Sequence, residues 1–296
     1  MKINLRYSNY HLKIIILHIG KNIKLVSHDL INDIPIGPCE KILQVIEQYK
    51  LHDDSILIIG GDNYINFDLN DFYKFHRSTS TSCNAIYKNE KMFDSSLFGM
   101  TRIDTDRNII GFKEKPKEIS RKKISNSFIS TACYIMAKHD IEILRKYLKA
   151  KKPDVLGEFL DWLRKKSKVK GYKFTDVWYD IGTRSSMLLA NSYVLDNYIH
   201  KKYPEIYIDQ ETYICPGNFI NEKTILSNAV IDEKVYVGKN CEIKNSYINN
   251  SIIYDNCIVK NSKISNCIIG ANSIIEAKII NYVFGPKSSV LEGEIL

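Results

Sequence analysis

Three short clusters have the residue types that chemistry on phosphates and hydroxyl groups requires. Gly60-Gly61-Asp62-Asn63 follows directly on an apolar run, Ser55-Ile56-Leu57-Ile58-Ile59. In open α/β sheets ligands bind at the carboxyl ends of strands, and an aspartate there is placed to hold a hard cation beside a phosphate. Asp and Asn are equally ordinary turn formers, so this motif alone leaves both readings open. Trp178-Tyr179-Asp180-Ile181-Gly182-Thr183 puts a second aspartate between a strand and a helix. There it either shares one magnesium ion with the first or caps the helix itself. Phe112-Lys113-Glu114-Lys115-Pro116 sets a Glu beside a Lys on a strand that stops at proline. The pair offers an acceptor for hydroxyl groups and a cation for a phosphate, or is one of the Glu-Lys pairs common on surface strands.

The elements that must position these clusters show two textures. Up to about Asn197, short β-branched runs alternate with helical patterns, the signal for βα units and a largely parallel sheet. Ser55 to Gly60 reads as a strand buried on both faces. Apolar residues at Ile42, Leu43, Val45, Ile46 and Tyr49 predict a helix over 39–49, after the Gly37-Pro38 breaker. Asn70 is expected to cap a helix carrying Phe72, Tyr73 and Phe75. Asp140 to Tyr147, Leu156 to Arg164 and Ser185 to Tyr198 read as helices, and Val169 to Phe174 as a strand.

From about Thr212 the texture changes. Ile225, Ile231, Val237, Ile243, Ile248, Ile253, Ile258, Ile264, Ile269 and Ile275 recur in steps of six that sometimes shorten to five, with Asn, Ser, Lys, Asp and Gly between them. A repeat this short is no helical solenoid unit. Each hexapeptide gives a strand and a turn, three make a triangular coil, and the coils must stack to bury their inward residues. An antiparallel sheet would instead need hairpin turns every 8–12 residues. The polar, proline-containing stretch near Lys201-Lys202-Tyr203-Pro204 suits a boundary.

The order of the motifs is more specific than any one of them. Strand-Gly-Asp-Asn is followed by Phe98-Gly99-Met100, Glu114-Lys115-Pro116, Ser130-Thr131-Ala132-Cys133-Tyr134, Asp154-Val155-Leu156-Gly157-Glu158-Phe159-Leu160-Asp161-Trp162-Leu163 and Trp178 to Thr183. That order resembles the sugar-1-phosphate nucleotidyltransferase (NDP-sugar pyrophosphorylase) family, from the start of the chain to about Asn197, and many members carry a β-helix tail. The resemblance implies a Rossmann-like α/β nucleotidyltransferase domain over 1–198, a linker over 199–211 and a left-handed parallel β-helix of hexapeptide repeats over 212–296. It implies attack by a sugar 1-phosphate oxygen on the α-phosphorus of a nucleoside triphosphate, with release of pyrophosphate. Positioning and charge neutralisation carry most of such a reaction. By the same resemblance Asp62 and Asp180 hold the Mg2+ that bridges the phosphates. Glu114 binds sugar hydroxyls, and Lys115 takes the sugar phosphate and acts in catalysis. Gly99 lends backbone groups to the sugar, Ser130 and Thr131 line its pocket, and Gly37 admits the nucleotide base. A homo-oligomer through the β-helix is expected, since its flat faces and open coil ends favour self-association.

One family element has no counterpart. The glycine-rich loop with a Gly-x-Gly-Thr-Arg-Leu core, followed by Lys-Pro, cradles the triphosphate in the family and is not found here. Ile3 to Tyr7 instead resembles the family's third strand, and Leu12 to Gly20 the helix after it. The catalytic domain is therefore expected to begin late, without its first βα units, leaving strand backbone exposed and the chain poorly stable alone. Three explanations follow: a misassigned start or fragment of an ordinary enzyme, a non-catalytic regulatory or assembly subunit, or a split enzyme completed by another chain.

Composition narrows the rest. Apolar content of 44% and charged content of 26% are those of a folded globular chain. No apolar run approaches the roughly 20 residues that span a bilayer, and no small-residue cleavage site follows Ile14-Ile15-Ile16-Leu17. The expected location is the cytoplasm, without membrane contact. A net charge of +8 suits anionic ligands, or reflects solvated lysines. The basic runs Arg121-Lys122-Lys123, Lys151-Lys152 and Arg164-Lys165-Lys166 are short and scattered, and no nucleic-acid-binding motif accompanies them. Seven dispersed cysteines without a Cys-x-x-Cys pair argue against a disulfide framework or a zinc site. Cys241, Cys257 and Cys267 fall in the repeat region as small buried groups. No His follows His200, which argues against the acyl transfer performed by other β-helix proteins.

Overall fold

The structure is a computed structural model that describes residues 14–18, 36–88, 97–116, 127–150, 153–198 and 205–295, the first of these segments by its backbone. The described residues divide into two compact units, one up to Trp178 and the other from Tyr179. The strand expected at Ile3–Tyr7, the boundary stretch over 199–204 and the basic runs over 121–123 and 151–152 lie outside the described residues.

The strands of the first unit are β1 (Ile14–His18), β2 (Ile56–Gly60), β3 (Asn63–Ile65), β4 (Ser82–Tyr87), β5 (Gly99–Ile103), β6 (Ile109–Lys113), β7 (Ser127–Met136) and β8 (Val169–Phe174). A short strand, β9 (Trp178–Asp180), carries the chain into the second unit. All five residues of β2 are buried. Ile56 and Ile58 face one core while Leu57 and Ile59 face the other, as the two-residue period of a strand covered on both faces requires. One core takes α1 (Pro38–Gln48), α3 (Ile141–Lys149) and α4 (Leu156–Leu163); the other takes α2 (Leu69–Thr79). In α1, Cys39, Ile42, Val45 and Ile46 are the buried stripe, and Pro38 sits in the first turn, where its missing N–H costs nothing. The cap of α2 is Asp68, not Asn70: the Asp68 carboxylate accepts from the Asn70 N–H at 2.7 Å. Both are capping residues two positions apart, and the earlier one meets the open backbone donors.

Two expectations about the sheet are corrected. Its order is β1-β2-β7-β4-β8, with β5 on β7 and β6 on β5. Among the described residues only β4 and β8 of this sheet pair in parallel; its other ladders are antiparallel, so the sheet is mixed rather than largely parallel. β2, β4 and β8 do run the same way, but β7 lies reversed between β2 and β4. β5 turns into β6 through Asp104–Asn108, with Arg107 in the left-handed region, and so forms a hairpin. Apolar runs signal a strand but not its direction. The stretch around Ile14–His18, expected to be helical, is a strand pairing antiparallel with the edge of β2 away from β7. Its β-branched run Ile14-Ile15-Ile16 favours extended backbone.

The second unit joins α5 (Arg184–Tyr198) to a parallel β-solenoid. Tyr207, Ile225, Glu242, Ile258, Ile274 and Ser289 follow one another in register up one side, marking six coils. Three inward columns fill the core: Leu226-Ile243-Val259-Ile275, Ile231-Ile248-Ile264-Ile279 and Ile220-Val237-Ile253-Ile269-Phe284. The repeat was read one residue early at two places. Ile225 and Ile258 turn outward, and their neighbours Leu226 and Val259 enter the core. Both sites carry two adjacent apolar residues, and a slip of one residue exchanges the faces of a strand.

Most left-handed corners of the solenoid are asparagines, with Lys223, Lys234 and Lys287 at others. Asn240, Asn256 and Asn272 adopt positive φ (53°, 60° and 60°) and lie 16 residues apart. Each amide donates to the next, Asn240 to Asn256 at 3.1 Å and Asn256 to Asn272 at 3.2 Å. Parallel ladders run through Asn228-Asn245-Asn261 and Asn250-Asn266-Asn281. Asn is the non-glycine residue that best tolerates this backbone, so one residue type supplies both turn and ladder. Cys241 and Cys257, just after such corners, are buried and point their thiols at the Tyr254 and Gly270 carbonyls of the next coil. Leu188 and Met187 of α5 pack on Ile252, Ile268 and Val283, on the outer face of one column of strands.

Replacing Asn256 by alanine removes two ladder bonds and leaves a β-carbon in the left-handed region, so we expect a loss of about 1–2 kcal/mol. Asn256→Gly loses the bonds but relaxes the backbone, and is expected to cost less. Chemical denaturation with amide exchange over 240–272 as local readout checks the order.

Candidate functional site

The carboxylate at the end of β6 is the centre of the first unit's candidate site. Glu114 follows β6 directly and is half-buried. A β-carbon placed on Gly157 would lie 2.0 Å from Glu114 Oε2, and one on Gly99 would lie 3.1 Å from the same oxygen and 2.8 Å from the Phe112 ring. The carboxylate thus sits in a notch between β5 and the start of α4 that only these glycines leave open. Burial pushes its pKa up, the Lys115 cation opposes that shift, and the Glu158 carboxylate adds to it. Lys115 itself is exposed, with a positive φ of 37°. That backbone is unfavourable for a non-glycine residue and turns the chain sharply before Pro116.

Ser130 lies opposite Gly99 in the β5–β7 ladder. Its hydroxyl donates to Asn84 Oδ1 at 2.9 Å and lies 3.3 Å from the Tyr134 hydroxyl. Burial raises the Tyr134 pKa, and the charge of Glu114 adds to the effect. Thr131 is fully buried, and its hydroxyl donates to the Ala85 carbonyl at 2.7 Å. Gly99, Glu114 and Ser130 therefore gather at one place, while the Thr131 side chain is turned into the sheet.

Asp62 stands in the turn after β2. Asn63 donates to its Oδ1 at 2.9 Å, and Asn63 Oδ1 in turn accepts from Trp178 Nε1 at 2.8 Å. The buried Asn63 amide thereby fixes the direction of the carboxylate. Gly37 begins α1, and a β-carbon there would lie 2.1 Å from Asp154 Cγ. The Asp154 carboxylate accepts from the Cys39 N–H at 2.6 Å and the Glu40 N–H at 3.1 Å, stabilising the positive end of α1. Burial, with Asp154 beside it, pushes the Cys39 thiol far up, so it is no nucleophile.

Asp180 belongs to the second unit. Its Oδ1 accepts from the Gly182 N–H at 3.0 Å. The cap of α5 is Thr183: the Ser186 N–H donates to its Oγ1 at 3.2 Å, and the Thr183 N–H to Ser186 Oγ at 3.3 Å. The alternative that Asp180 caps the helix itself is therefore not what the structure holds. Among the described residues no three His, Cys, Asp or Glu side chains converge as an all-protein metal cage would need.

Sequence reasoning gave no role to Asn84, Asp154, Gly157 and Tyr134, and read Asn63 only as a turn former. Asp154 and Gly157 stood inside a quoted motif without a role. Asn84 had a signal, a lone amide in the apolar strand Cys83-Asn84-Ala85-Ile86. Buried polar groups in such a place need partners.

The raised pKa of Glu114 has a definite sign. Between the ordinary carboxylate value and the raised one, the folded state binds more protons than the unfolded state, so stability falls as pH rises through that window. Glu114→Gln removes this slope. Its stability relative to the unsubstituted chain should therefore grow from about pH 4 towards neutrality, given the ordinary Glu value of about 4.3. Urea midpoints measured across that range check it.

The family model described as Nucleotidyl transferase matches residues 19–197. The chain is 26% identical over 228 residues to a glucose-1-phosphate adenylyltransferase from Clostridium beijerinckii, covering 74% of this chain and 55% of that protein. It is 27% identical over 181 residues to the bifunctional protein GlmU of Methanococcus vannielii, covering 60% of this chain and 39% of that protein. The chain thus spans about half or less of the length of these relatives. The match covers more than half of the chain and makes it a member of the nucleotidyl transferase family.

Proposed function

We propose that this protein transfers a nucleotidyl group from a nucleoside triphosphate to a sugar 1-phosphate, giving an NDP-sugar and pyrophosphate. The observation that carries the reading is the Glu114 notch. A half-buried carboxylate with raised pKa, between two backbone segments free of side chains, is a strong acceptor for paired hydroxyl groups and leaves room for a flat polyol. The names of the two relatives, a sugar-1-phosphate nucleotidyltransferase among them, support the same class of substrate.

In this reading Glu114 accepts from sugar hydroxyls and the Gly99 backbone packs against the ring. Ser130 and Thr131 line the pocket through their backbone, since their hydroxyls serve Asn84 and Ala85. Lys115, exposed beside Glu114, neutralises the phosphate whose oxygen attacks, which both anchors the sugar and lowers the barrier. Gly37 marks the base side; because Asp154 already takes the Cys39 and Glu40 N–H groups there, the base must be met by other donors. Asp62 and Asp180 are the ligands we assign to Mg2+. Their hard carboxylate oxygens suit this ion, which usually takes one or two carboxylates together with substrate phosphates and water. When bound, the ion would draw charge from the α-phosphate and the departing pyrophosphate. Asn63 keeps the Asp62 carboxylate aimed, and the Gly182 N–H does the same for Asp180.

We also assign the protein to the cytoplasm, where its seven unpaired cysteines would stay reduced. No described helix is long and apolar enough to cross a membrane. Self-association through the solenoid is part of the same proposal, since Tyr207, Ile225 and Ile274 stand exposed along one column of its strands.

Asp62→Asn and Asp180→Asn should each lower turnover by at least about 10²-fold, the scale for losing one charge-stabilising group, with the fold unchanged. Chelation should abolish turnover, and added Mg2+ restore it. Pyrophosphate release with a panel of sugar 1-phosphates and nucleoside triphosphates is the assay. Near-normal release from both variants would remove the metal assignment.

A further inference from the structure

Asn84 is fully buried in the middle of β4, yet its side chain takes over part of the ladder between β4 and β7. Asn84 pairs with Tyr134 and Ile86 with Ser130, so a step of two residues on β4 faces a step of four on β7. Thr131, Ala132 and Cys133 face Ala85 alone and form a bulge. Asn84 Nδ2 donates to the Thr131 carbonyl at 3.0 Å and the Cys133 carbonyl at 3.2 Å, while its Oδ1 accepts from Ser130 Oγ at 2.9 Å. Across the bulge, Thr131 Oγ1 donates to the Ala85 carbonyl at 2.7 Å. One amide thus meets two carbonyls that the bulge removes from the ladder and a hydroxyl at its start. A hydrophobic residue of similar size could not do this.

The bulge touches both halves of the first unit's site. Ala132, at its crest, presses on the end of β2: a β-carbon on Gly60 would lie 2.8 Å from Ala132 Cβ and 3.1 Å from Asp62 Oδ1. Ser130, at its foot, is the ladder partner of Gly99 beside the Glu114 notch. Bulges re-aim a strand where a site needs it. We propose that Asn84 is a positioning residue: by holding the Thr131–Cys133 bulge it sets the Asp62 turn and the Gly99–Ser130 edge in mutual register. Without it the backbone at Thr131–Cys133 relaxes toward a regular ladder, and the two groups of side chains lose their common reference. The effect on turnover rests on the proposed function; the structural effect does not.

The test compares Asn84→Ala with Ser82→Ala, which breaks buried hydrogen bonds to Asp140 and the Ala137 N–H at the start of β4. Amide exchange is followed over 60–63 and 130–134, and steady-state kinetics over sugar 1-phosphate and nucleotide. In Asn84→Ala, exchange in both segments should rise by about tenfold or more. KM for the sugar 1-phosphate should rise by about tenfold, with a much smaller change in KM for the nucleotide. Ser82→Ala should lower the thermal midpoint without either change. If Asn84→Ala does not fold, Thr131→Val, which removes one bond of the set, should show the same pattern at smaller amplitude. Unchanged exchange at 60–63, or a KM shift no larger than that of Ser82→Ala at equal thermal destabilisation, overturns the proposal. If the unsubstituted chain turns over no sugar 1-phosphate, it is the functional reading that fails, and the exchange comparison alone decides the role of Asn84.

Discussion

A carboxylate held half out of water between two backbone segments is the constraint around which the first unit is arranged. Glu114 can occupy its notch only because Gly99 and Gly157 present no side chain to it. Its burial disfavours the charged form, and the raised pKa records that cost. Hydroxyl groups donated by a ligand would stabilise the charged form that burial disfavours. Everything that fixes β5, β6, β7 and α4 relative to one another therefore bears on this carboxylate. The reversed insertion of β7 between β2 and β4 places Ser130 opposite Gly99 and Ala132 against Gly60. One strand thereby reaches both the notch and the Asp62 turn.

The second unit solves a different problem by repetition. Each coil alone leaves its inward isoleucines half covered, and stacking in register closes the core. The asparagine corners hold that register twice over, through a backbone that Asn tolerates and through amides that bond only when the coils are aligned. α5 lies on the solenoid's outer face through Leu188, so the helix that follows Asp180 belongs with the repeat domain.

What was legible in the sequence was local. β2, its glycine end and the Gly-Asp-Asn turn could be read because apolar continuity and turn chemistry act over a few residues. The hexapeptide step gave the solenoid, since its period is the structure. Strand direction was not legible: the antiparallel β7 has the same β-branched texture that a parallel strand would have. Nor could period alone choose between Ile225 and Leu226, or Ile258 and Val259, because both members of each pair are apolar. The roles of Asn84 and Asp154 were hidden for a third reason. Their partners, Thr131 and Cys133 for one and Cys39 and Glu40 for the other, are far away in the chain. Motif order identified the Glu114 region as a whole, while the glycine notch that gives it meaning joins residues from three separate elements.

The central claim is that this chain joins a sugar 1-phosphate to a nucleotide. Phosphorus NMR of the full chain with Mg2+, each nucleoside triphosphate in turn and one sugar 1-phosphate at a time tests it most directly. The account predicts, for at least one pair, coupled diphosphate signals of an NDP-sugar appearing in equal amount with free pyrophosphate, and the reverse conversion on adding pyrophosphate to the product. Hydrolysis of the triphosphate without need for the sugar phosphate, or no change in either direction across the whole panel, would contradict it.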